Sequence, residues 1–381
     1  MNYYEESLKL HEELAGKLEV VSKRHILTKE DLSLLYTPWV AAPCLKIKEN
    51  KWDVYKYTIK SNTVAVISDW SAVLGLGNIW PEAWLPVMEG KCVLFKEFAG
   101  VNAFPIILDT QDTEEIIKTI KMIAPTFGWI NLEDFSAPRC FEIEERLKAE
   151  LNIPVFHDDQ HGTAVVVLAW LINSLIITGK KKEEIKVVIN GLGAAGTAIL
   201  KLLNLYWVGN IIACDSKWIV SKSRVDLNSA KIKILEISNP NNISGTLQDA
   251  IKWADVFVGV SIANAITKTD VATMNRDSII FAMANPMPEI MPDEAKAGWA
   301  RIIATGRSDF PNQLNNVLVF PGIFKWALMH RLHKITDQMK INAAEALAGY
   351  VENMSEDKII PNPLDKNVAN IIADSMVKLL K

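Results

Sequence analysis

The apolar residues of this chain follow helical spacing in some stretches and form short, continuous runs in others. Up to about residue 155 the two kinds of segment mix in no regular order, whereas further on they alternate. Regular alternation of strand and helix is typical of a parallel, doubly wound sheet. The pattern therefore predicts an α/β protein of two domains. The first is an N-terminal α/β domain over 1–155, and the second is a doubly wound domain over 156–381 that ends in helices.

Individual elements follow from the same pattern. Predicted strands lie at 64–68, 93–95, 103–109, 186–190, 210–215, 256–260, 278–282 and 301–304, with candidate strands within 127–132 and 151–156. Predicted helices lie at 5–18, 114–123, 140–150, 163–178, 194–205 and 340–354. The longest uncharged apolar run, 163–178, contains Asn173 and Ser174, so we expect a buried helix there rather than a membrane span.

Two acidic pairs, Glu133-Asp134 and Asp158-Asp159, follow closely behind two of the candidate strands. Carboxylates at strand ends are hard oxygen ligands, which Mg²⁺ and Mn²⁺ favour. An isolated acidic pair at such a place is usually a solvated loop or a helix cap. Two pairs together indicate a site for Mg²⁺ or Mn²⁺.

A glycine-rich turn, Gly191-Leu192-Gly193-Ala194-Ala195-Gly196, stands between the predicted strand 186–190 and the predicted helix 194–205. In a Rossmann-type domain these glycines allow a tight turn, pyrophosphate approach and close helix packing. The next strand ends in Asp215, placed to accept a hydrogen bond from a ribose hydroxyl. Asp215 favours NAD, but Ser216, Lys217 and Lys222 could accept the extra phosphate of NADP, so both cofactors stay open. The alternative is a tight strand–helix turn without a ligand.

Composition narrows the class of protein. The chain has 381 residues, 49% of them hydrophobic, and a formal net charge of −4, which gives no basic field for nucleic acid. Its four cysteines show neither zinc nor disulfide spacing, which fits a reducing cytoplasm. The N-terminus shows no signal peptide. We therefore expect a cytoplasmic protein that binds small molecules and neither nucleic acid nor membrane.

These motifs together resemble those of the malic enzymes of the short bacterial type. The matching segments are YTPWVA at 36–41, SDWSAVLGLGN at 68–78, VMEGK at 87–91, INLED at 130–134, HDDQHGT at 157–163, ANP at 284–286, ATGRSD at 304–309 and NNV at 315–317. The resemblance implies oxidation of (S)-malate to pyruvate and carbon dioxide, with reduction of NAD⁺ or NADP⁺ and with Mg²⁺ or Mn²⁺ bound. It also implies a malic-enzyme N-terminal domain, an NAD(P)-binding domain, and a homodimer or a larger homo-oligomer.

The resemblance assigns roles to individual residues. It implies that Lys91 is the base for the malate hydroxyl and that Tyr36 protonates the enolate carbon. On residue type alone, Lys91 between Gly90 and Cys92 would be a surface charge, and Tyr36 a core aromatic. The implied metal ligands are Glu133, Asp134 and Asp159, and the implied substrate contacts are Asn285 and Asn315.

Four further residues stand close in sequence to these candidates. Asn316 is a close alternative to Asn315 as the substrate contact. Asp158 does not match a direct metal ligand, and we expect it to tune Lys91 or to orient a ligand. His157 and His161 have a spacing that zinc sites use, but the surrounding acids suit a harder ion. We therefore expect the two histidines to frame the loop and to cap the following helix.

Most departures from the family pattern are of one kind. Tryptophan stands where the pattern resembles glycine at ten positions, which are 39, 70, 80, 84, 129, 207, 218, 253, 299 and 326. We hypothesise that the gene uses UGA as a glycine codon and that the natural protein has glycine at these positions. If the tryptophans are real, a non-catalytic NAD(P)-binding protein is the alternative. A dehydrogenase for a related hydroxy acid is the nearest other enzyme.

Overall fold

The structure, a computed structural model, describes residues 3–72 and 79–377. Two parallel sheets organise the chain, one in each half. The segment at 68–78 that supports the family resemblance is described only in part, since residues 73–78 lie outside the described residues.

The first sheet contains four parallel strands, in the order β2-β1-β3-β4. They are β1 (Thr63–Ser68), β2 (Asn102–Ile107), β3 (Trp129–Leu132) and β4 (Val155–His157). Ile67 of β1 pairs with Leu132 of β3, and Leu132 pairs with His157 of β4. Because the carboxyl ends are level, the residues that follow these three strands meet at one edge of the sheet.

The second sheet contains six strands in the order β10-β9-β8-β5-β6-β7. They are β5 (Lys186–Asn190), β6 (Asn210–Asp215), β7 (Trp218–Ile219), β8 (Val256–Gly259), β9 (Ile279–Ala282) and β10 (Ile302–Thr305). All neighbours are parallel except β6 and β7. The strand order reverses direction at β5, and ligands of such sheets bind beyond the carboxyl ends at that point.

Helices cover both sheets. The longer ones are α1 (Tyr3–Leu14), α3 (Ala41–Glu49), α5 (Pro81–Ala99), α6 (Thr113–Ile123), α7 (Arg139–Glu150), α8 (Asp158–Thr178), α9 (Ala194–Leu205), α14 (Phe320–Met329), α15 (Asp337–Gly349) and α16 (Val368–Val377). The short ones are α2 (Lys29–Leu35), α4 (Val54–Tyr57), α10 (Ser229–Ile234), α11 (Leu247–Ile251), α12 (Lys268–Val271) and α13 (Pro292–Ala297). Short 3-10 helices lie at Lys51–Asp53, Ile59–Asn62, Ala124–Thr126 and Asn316–Leu318.

The strand predicted at 93–95 is wrong, because these residues belong to α5. Pro81 occupies the first turn of this helix, and Gly100 ends it in the left-handed conformation at φ 67°. Its buried residues recur at helical spacing and are Trp84, Met88, Lys91, Cys92, Phe95 and Ala99. Residues 93–95 are three consecutive apolar residues within one helical turn. A run this short has no periodicity that distinguishes a helix from a strand.

Helix α8 begins at Asp158, five positions before the start that the apolar pattern predicts. Both acids of the second pair therefore lie in its first turn. His161 lies inside the helix, so the prediction that it caps α8 is wrong, and His157 holds the cap position without a side-chain capping bond. By length and composition α8 passes as a membrane span, but 72% of its apolar window is buried inside the fold. It is a core helix, as the sequence predicts.

The C-terminal helices also differ from the prediction. Thr336 caps α15 through Met339 N, so this helix starts before residue 340 and ends at Gly349. The separate helix α16 follows, and the sequence pattern did not predict it.

Residues 3–57 form an N-terminal arm that buries almost none of its side chains. Helices α1, α3 and α4 have no buried residue, and α2 buries only Asp31. Exposed apolar side chains along the arm include Leu8, Leu14, Val20, Ile26, Leu27, Leu34, Leu35, Tyr36, Trp39 and Leu45. An apolar surface of this extent usually marks an interaction site.

Five of the ten tryptophans at glycine-like positions have a left-handed backbone. They are Trp70 at φ 51°, Trp207 at 66°, Trp218 at 84°, Trp253 at 59° and Trp299 at 69°. This conformation costs an L side chain about 1–2 kcal/mol, and glycine adopts it freely. Four of the five side chains are exposed, so burial offsets little of that cost. These backbone angles favour glycine as the natural residue.

The buried tryptophans show a second anomaly. The indole nitrogens of Trp129, Trp170 and Trp326 are buried and have no hydrogen-bond partner. The indole of Trp84 approaches the Asp134 carboxylate without meeting hydrogen-bond geometry. An unpaired buried donor costs about 1–3 kcal/mol, and a buried indole normally finds an acceptor. Trp170 shares this anomaly although it is not one of the ten positions.

We expect Trp253→Gly and Trp299→Gly each to stabilise the chain by about 0.5–1 kcal/mol, because relief of the left-handed strain exceeds the entropy cost of glycine. Thermal unfolding checks this. Trp52→Gly is the control, since Trp52 lies in a 3-10 helix and contacts Tyr55 and His333, so its loss should destabilise the protein.

Peptide masses of protein purified from its source organism should show glycine at position 39. A mass that corresponds to tryptophan there would contradict the codon hypothesis.

Candidate active site

Lys91 lies at the centre of a buried charge cluster. Helix α5 directs its ammonium to the carboxyl edge of the first sheet, where Nζ donates to Glu133 Oε1 at 2.9 Å and to Asp158 Oδ2. The lysine is only 9% exposed and also lies 4.2 Å from the centre of the Phe320 ring. A lysine that ordinary statistics place at the surface is therefore held by carboxylates that follow β3 and β4.

Charge and burial compete in this cluster. Burial acts to lower the pKa of Lys91, but the carboxylates of Asp158 and Glu133 outweigh it and hold the pKa above its usual value. Burial raises the pKa of Asp158 to about 6, against the opposing effect of Lys91. Burial likewise raises the pKa of Glu133. The structure therefore holds Lys91 as an ammonium that shares its protons with two weakened acids.

Asp134 and Asp159 adjoin this cluster. The backbone N–H of Asp134 donates to Asp159 Oδ2 at 2.8 Å, and Asp134 itself has a left-handed backbone at φ 58°. Burial raises the pKa of Asp134 well above its usual value, and repulsion from Asp159 and Glu133 raises it further. Four acidic residues, Glu133, Asp134, Asp158 and Asp159, thus meet around a single ammonium, which makes a region of strongly negative potential.

The donor set fits a hard divalent cation, although the side chains are not arranged around one. Glu133 Oε1 and Oε2 turn towards Lys91 and Asn131, and Asp159 accepts from the Asp134 backbone. Within the described residues no group of three or more acidic, histidine or cysteine side chains converges as metal ligands do. The carboxylate oxygens of Glu133, Asp134 and Asp159 are the ligands that Mg²⁺ and Mn²⁺ prefer. Binding a cation would require these side chains to turn towards a common point.

Among the described residues, no hydrogen bond joins Lys91 to the other residues with predicted catalytic and substrate roles, Tyr36, Asn285 and Asn315. Tyr36 ends α2 on the N-terminal arm and is 67% exposed, and no hydrogen bond in the described part of the chain joins it to Lys91. Asn285 is exposed and lies against Gly306, after β9 and β10. Asn315 caps a 3-10 helix through Val317 N. Its neighbour Asn316 instead donates to Asp158 Oδ2 at 3.2 Å.

The glycine-rich turn has the geometry that a dinucleotide site needs. Gly191 has φ +113°, and a Cβ there would lie 2.6 Å from Val260 O. A Cβ at Gly196 would lie 1.8 Å from Gly191 O, whereas one at Gly193 would meet nothing within 4 Å. The space beside Gly193 is where a pyrophosphate would approach, with Leu192, Ala194 and Ala195 completing the turn at the N-terminus of α9.

Asp215 ends β6 as predicted, but both its oxygens are already engaged. Arg224 Nη1 donates to Oδ1 at 2.7 Å, Lys217 N to the same oxygen at 2.8 Å, and Lys231 Nζ donates to Oδ2. Burial acts to raise the pKa of Asp215, and the hydrogen bonds from Arg224 and Lys231 outweigh it and lower the pKa. A ribose hydroxyl would share this carboxylate with two cations that the sequence did not single out.

Comparison with known proteins now decides the family. Residues 15–118 and 110–148 match the family model "Malic enzyme, N-terminal domain", and residues 160–380 match "Malic enzyme, NAD binding domain". A Bacillus subtilis bifunctional malic/malolactic enzyme is 55% identical over 99% of this chain and 93% of its own length. A Geobacillus stearothermophilus NAD-dependent malic enzyme is 54% identical over 96% of this chain and 77% of its own length.

The fold agrees. The crystal structure of an NAD-dependent malic enzyme from Thermotoga maritima matches with a TM-score of 0.94 and 48% identity, over 97% of this chain and 98% of that one. This chain belongs to the malic enzyme family. The α/β architecture with an NAD-binding domain, predicted from the sequence, is confirmed.

Sequence reasoning missed several polar contacts that join the segments around the candidate active site. Glu289 is fully buried and accepts from Ser261 N and Ala284 N, so it joins the loops after β8 and β9. Arg139 Nε donates to the buried Asp69 at 3.0 Å, which ties α7 to the end of β1. Glu144 accepts from His157 N and His161 Nε2. All of these partners except Ala284 lie 13 or more residues away in sequence, so no local signal pointed to them.

We expect Asp134→Asn to raise the stability of the metal-free protein by about 1 kcal/mol or more, because it removes a buried carboxylate with raised pKa. Asparagine tolerates the left-handed backbone of this position. The gain should vanish at low pH, where the carboxyl is protonated in both folded and unfolded states. Thermal unfolding from pH 3.5 to 8, after exhaustive chelation, measures it.

The same variant tests cation binding. Mn²⁺ should raise the thermal unfolding midpoint of the parent protein, and it should raise the midpoint of Asp134→Asn much less. Asp357→Asn, at an exposed turn, is the control and should follow the parent throughout. An equal Mn²⁺ effect in all three proteins would remove Asp134 from the cation site.

Proposed function

We propose that this chain oxidises (S)-malate with NAD⁺ or NADP⁺ and releases carbon dioxide, leaving pyruvate and the reduced cofactor. Family membership supports this reading over a non-catalytic binding protein, as do the malic enzyme activities that its close relatives' names state. The buried Lys91 ammonium between Glu133 and Asp158 supports it most directly. Such a cluster is costly to bury, and a site that must move protons gives it a use.

The chain's own residues would handle the protons of this reaction. A bound Mg²⁺ or Mn²⁺, held by Glu133, Asp134 and Asp159, would polarise the substrate oxygens, and a bound nicotinamide would accept the hydride. To take the hydroxyl proton, Lys91 would first have to pass one of its own protons to Asp158 across their hydrogen bond. The raised pKa of Lys91 opposes that transfer, and the positive charge of a bound cation would favour it. The raised pKa of Asp158, about 6, suits an acid that accepts a proton and returns it near neutral pH.

We propose that Asn285 and Asn316 or Asn315 contact the substrate carboxylates. Amide groups donate to carboxylates without adding charge. Asn316 already lies in the Lys91 cluster, whereas the Asn315 side-chain oxygen is engaged in capping. This geometry favours Asn316 of the two.

The cofactor is NAD or NADP, and the ion pairs of Asp215 support either. Arg224 and Lys231 neutralise the carboxylate that would otherwise repel a ribose phosphate. Relatives named both NAD-dependent and NADP-dependent malic enzymes match nearly the whole of this chain. The four cysteines are free, which agrees with the proposed cytoplasmic location.

We propose that the two domains divide near residues 155–160. The N-terminal family model ends at 148, the NAD-binding model begins at 160, and β4 extends the first sheet to His157. The boundary drawn at 155/156 from the sequence passes through this strand.

We propose that the enzyme is a homodimer or larger homo-oligomer in which a second copy covers the N-terminal arm. The arm exposes apolar side chains that its own chain does not cover, and it carries Tyr36. If Tyr36 protonates the enolate, as the family resemblance implies, it must reach a site that contains Lys91. An arm packed on a second copy would bring the tyrosine of one chain towards the lysine of the other.

Lys91→Ala should abolish conversion of malate to pyruvate and carbon dioxide while cofactor binding persists. The loss should exceed about 100-fold, the lower range for a general base. NAD(P)H absorbance, pyruvate and carbon dioxide are measured together. A hydroxy-acid dehydrogenase that does not decarboxylate its substrate would reduce the cofactor without releasing carbon dioxide. Lys366→Ala, an exposed lysine, is the control. Near-normal turnover in Lys91→Ala would refute the role of Lys91 as the base. The assay is run on the chain with tryptophan and on the chain with glycine at the ten positions.

A mixture of Tyr36→Phe and Lys91→Ala chains tests the arm. Each variant alone should be nearly inactive. After unfolding and refolding together, half of the dimers would be mixed and one of their two sites intact, so about a quarter of the parent activity should return. A mixture as inactive as its components would show that Tyr36 acts within its own chain or not at all.

A further inference from the structure

A cavity of about 450 Å³ lies where the two halves of the chain meet. Its walls come from α7, the start of α8, one face of α9 and the start of α15. The principal polar lining residues are Glu144, Lys148, Gln160, Lys201, Asp337 and Lys340. The lining includes neither Lys91 nor the three candidate cation ligands, so this cavity is separate from the candidate active site. Its volume falls within the range of small-molecule sites.

Gln160 gives the cavity wall a buried polar side chain that lacks one hydrogen-bond partner. Its side chain is only 4% exposed, and its amide nitrogen has no hydrogen-bond partner. An unpaired buried donor is costly, and buried polar groups in native proteins are nearly always satisfied. The nitrogen is closed off from solvent in the present orientation of the side chain, so an acceptor atom of a ligand in the cavity would satisfy this N–H group once the amide turns towards it.

Three lysines add further unused donors. Lys340 is 6% exposed, and its only carboxylate partner among the described residues is Asp337, three residues earlier and itself largely exposed. Lys148 forms an ion pair with Glu144 and lies 3.3 Å from His161 Nε2, and Lys201 has no carboxylate partner among the described residues. Each ammonium has three donors. Most of the lysine N–H groups around the cavity are therefore free to bind an acceptor.

The carboxylates around the cavity do not offset these donors. Glu144 already accepts from Lys148, His161 and the backbone of His157. Asp337 and Glu145 lie on the exposed rim. The interior of the cavity therefore offers hydrogen-bond donors and positive charge.

We propose that this cavity binds a small anion bearing carboxylate or phosphate groups, held by Lys340, Gln160 and Lys148, with Lys201 at the mouth. Carboxylate and phosphate share the acceptor-rich chemistry that these donors require. Gln160 directly follows Asp159 in the first turn of α8, and Glu144 holds the backbone of His157. An anion in the cavity would thus bind beside the segment that carries the candidate cation ligands, without entering the active site.

Binding is tested on the full chain without metal, cofactor or malate, so that the result does not depend on the proposed activity. The probes are inorganic phosphate, succinate and citrate at constant ionic strength in chloride, with heat of binding and unfolding midpoint as readouts. We expect at least one probe to bind saturably and to raise the midpoint. A stronger response to phosphate identifies a phosphate ligand, and a stronger response to succinate or citrate identifies a carboxylate.

Variants locate the site. Lys340→Met and Gln160→Leu should each lower the affinity for the bound probe by about tenfold or more, since each removes a buried donor. Lys366→Met removes the same charge at an exposed position and should bind as the parent does. If Lys340→Met fails to fold, Gln160→Leu, which keeps the net charge, decides the question. No saturable binding of any probe, or parent-like binding in Gln160→Leu, would overturn the proposal.

Discussion

Burial of one ammonium among acids is the constraint around which the first sheet and its helices are arranged. Lys91 is satisfied only if β3 and β4 end at the same level, so that Glu133 and Asp158 both reach it. Removal of one partner from a buried ion pair typically costs about 3–5 kcal/mol. The parallel register, the early start of α8 and the position of α5 therefore depend on one another.

Helix α8 links this cluster to the rest of the molecule. Its first turn carries Asp158 and Asp159, and its remaining length is buried against α9 and α15 of the second half. Gln160 and His161 lie between these two environments, beside the polar cavity. One helix thus takes part in the candidate active site, the nucleotide-binding half and the proposed anion site, and a change at one end of it bears on the other.

The tryptophans at the glycine-like positions conflict with the backbone and the hydrogen bonding around them. Natural sequences rarely place a large side chain in the left-handed region repeatedly, or bury several indole N–H groups without acceptors. Trp84 brings its ring beside Asp134, within the candidate cation site. Glycine at the ten positions would relieve the backbone, remove three of the four unpaired indole N–H groups (all but that of Trp170) and open space beside the carboxylates. The codon hypothesis accounts for all three observations with a single cause.

The sequence by itself determined the α/β class, the parallel second sheet, the glycine-rich turn and the family, because strand–helix alternation and motif spacing are local properties. Only the tertiary structure decided that 93–95 is helical, that Asn316 rather than Asn315 joins the Lys91 cluster, and that Arg224 and Lys231 hold Asp215. It also revealed that the described part of the chain leaves the N-terminal arm uncovered, and that Gln160 lines a cavity and has an amide nitrogen without a partner. These outcomes depend on contacts between distant residues, whose partners and burial no local pattern specifies.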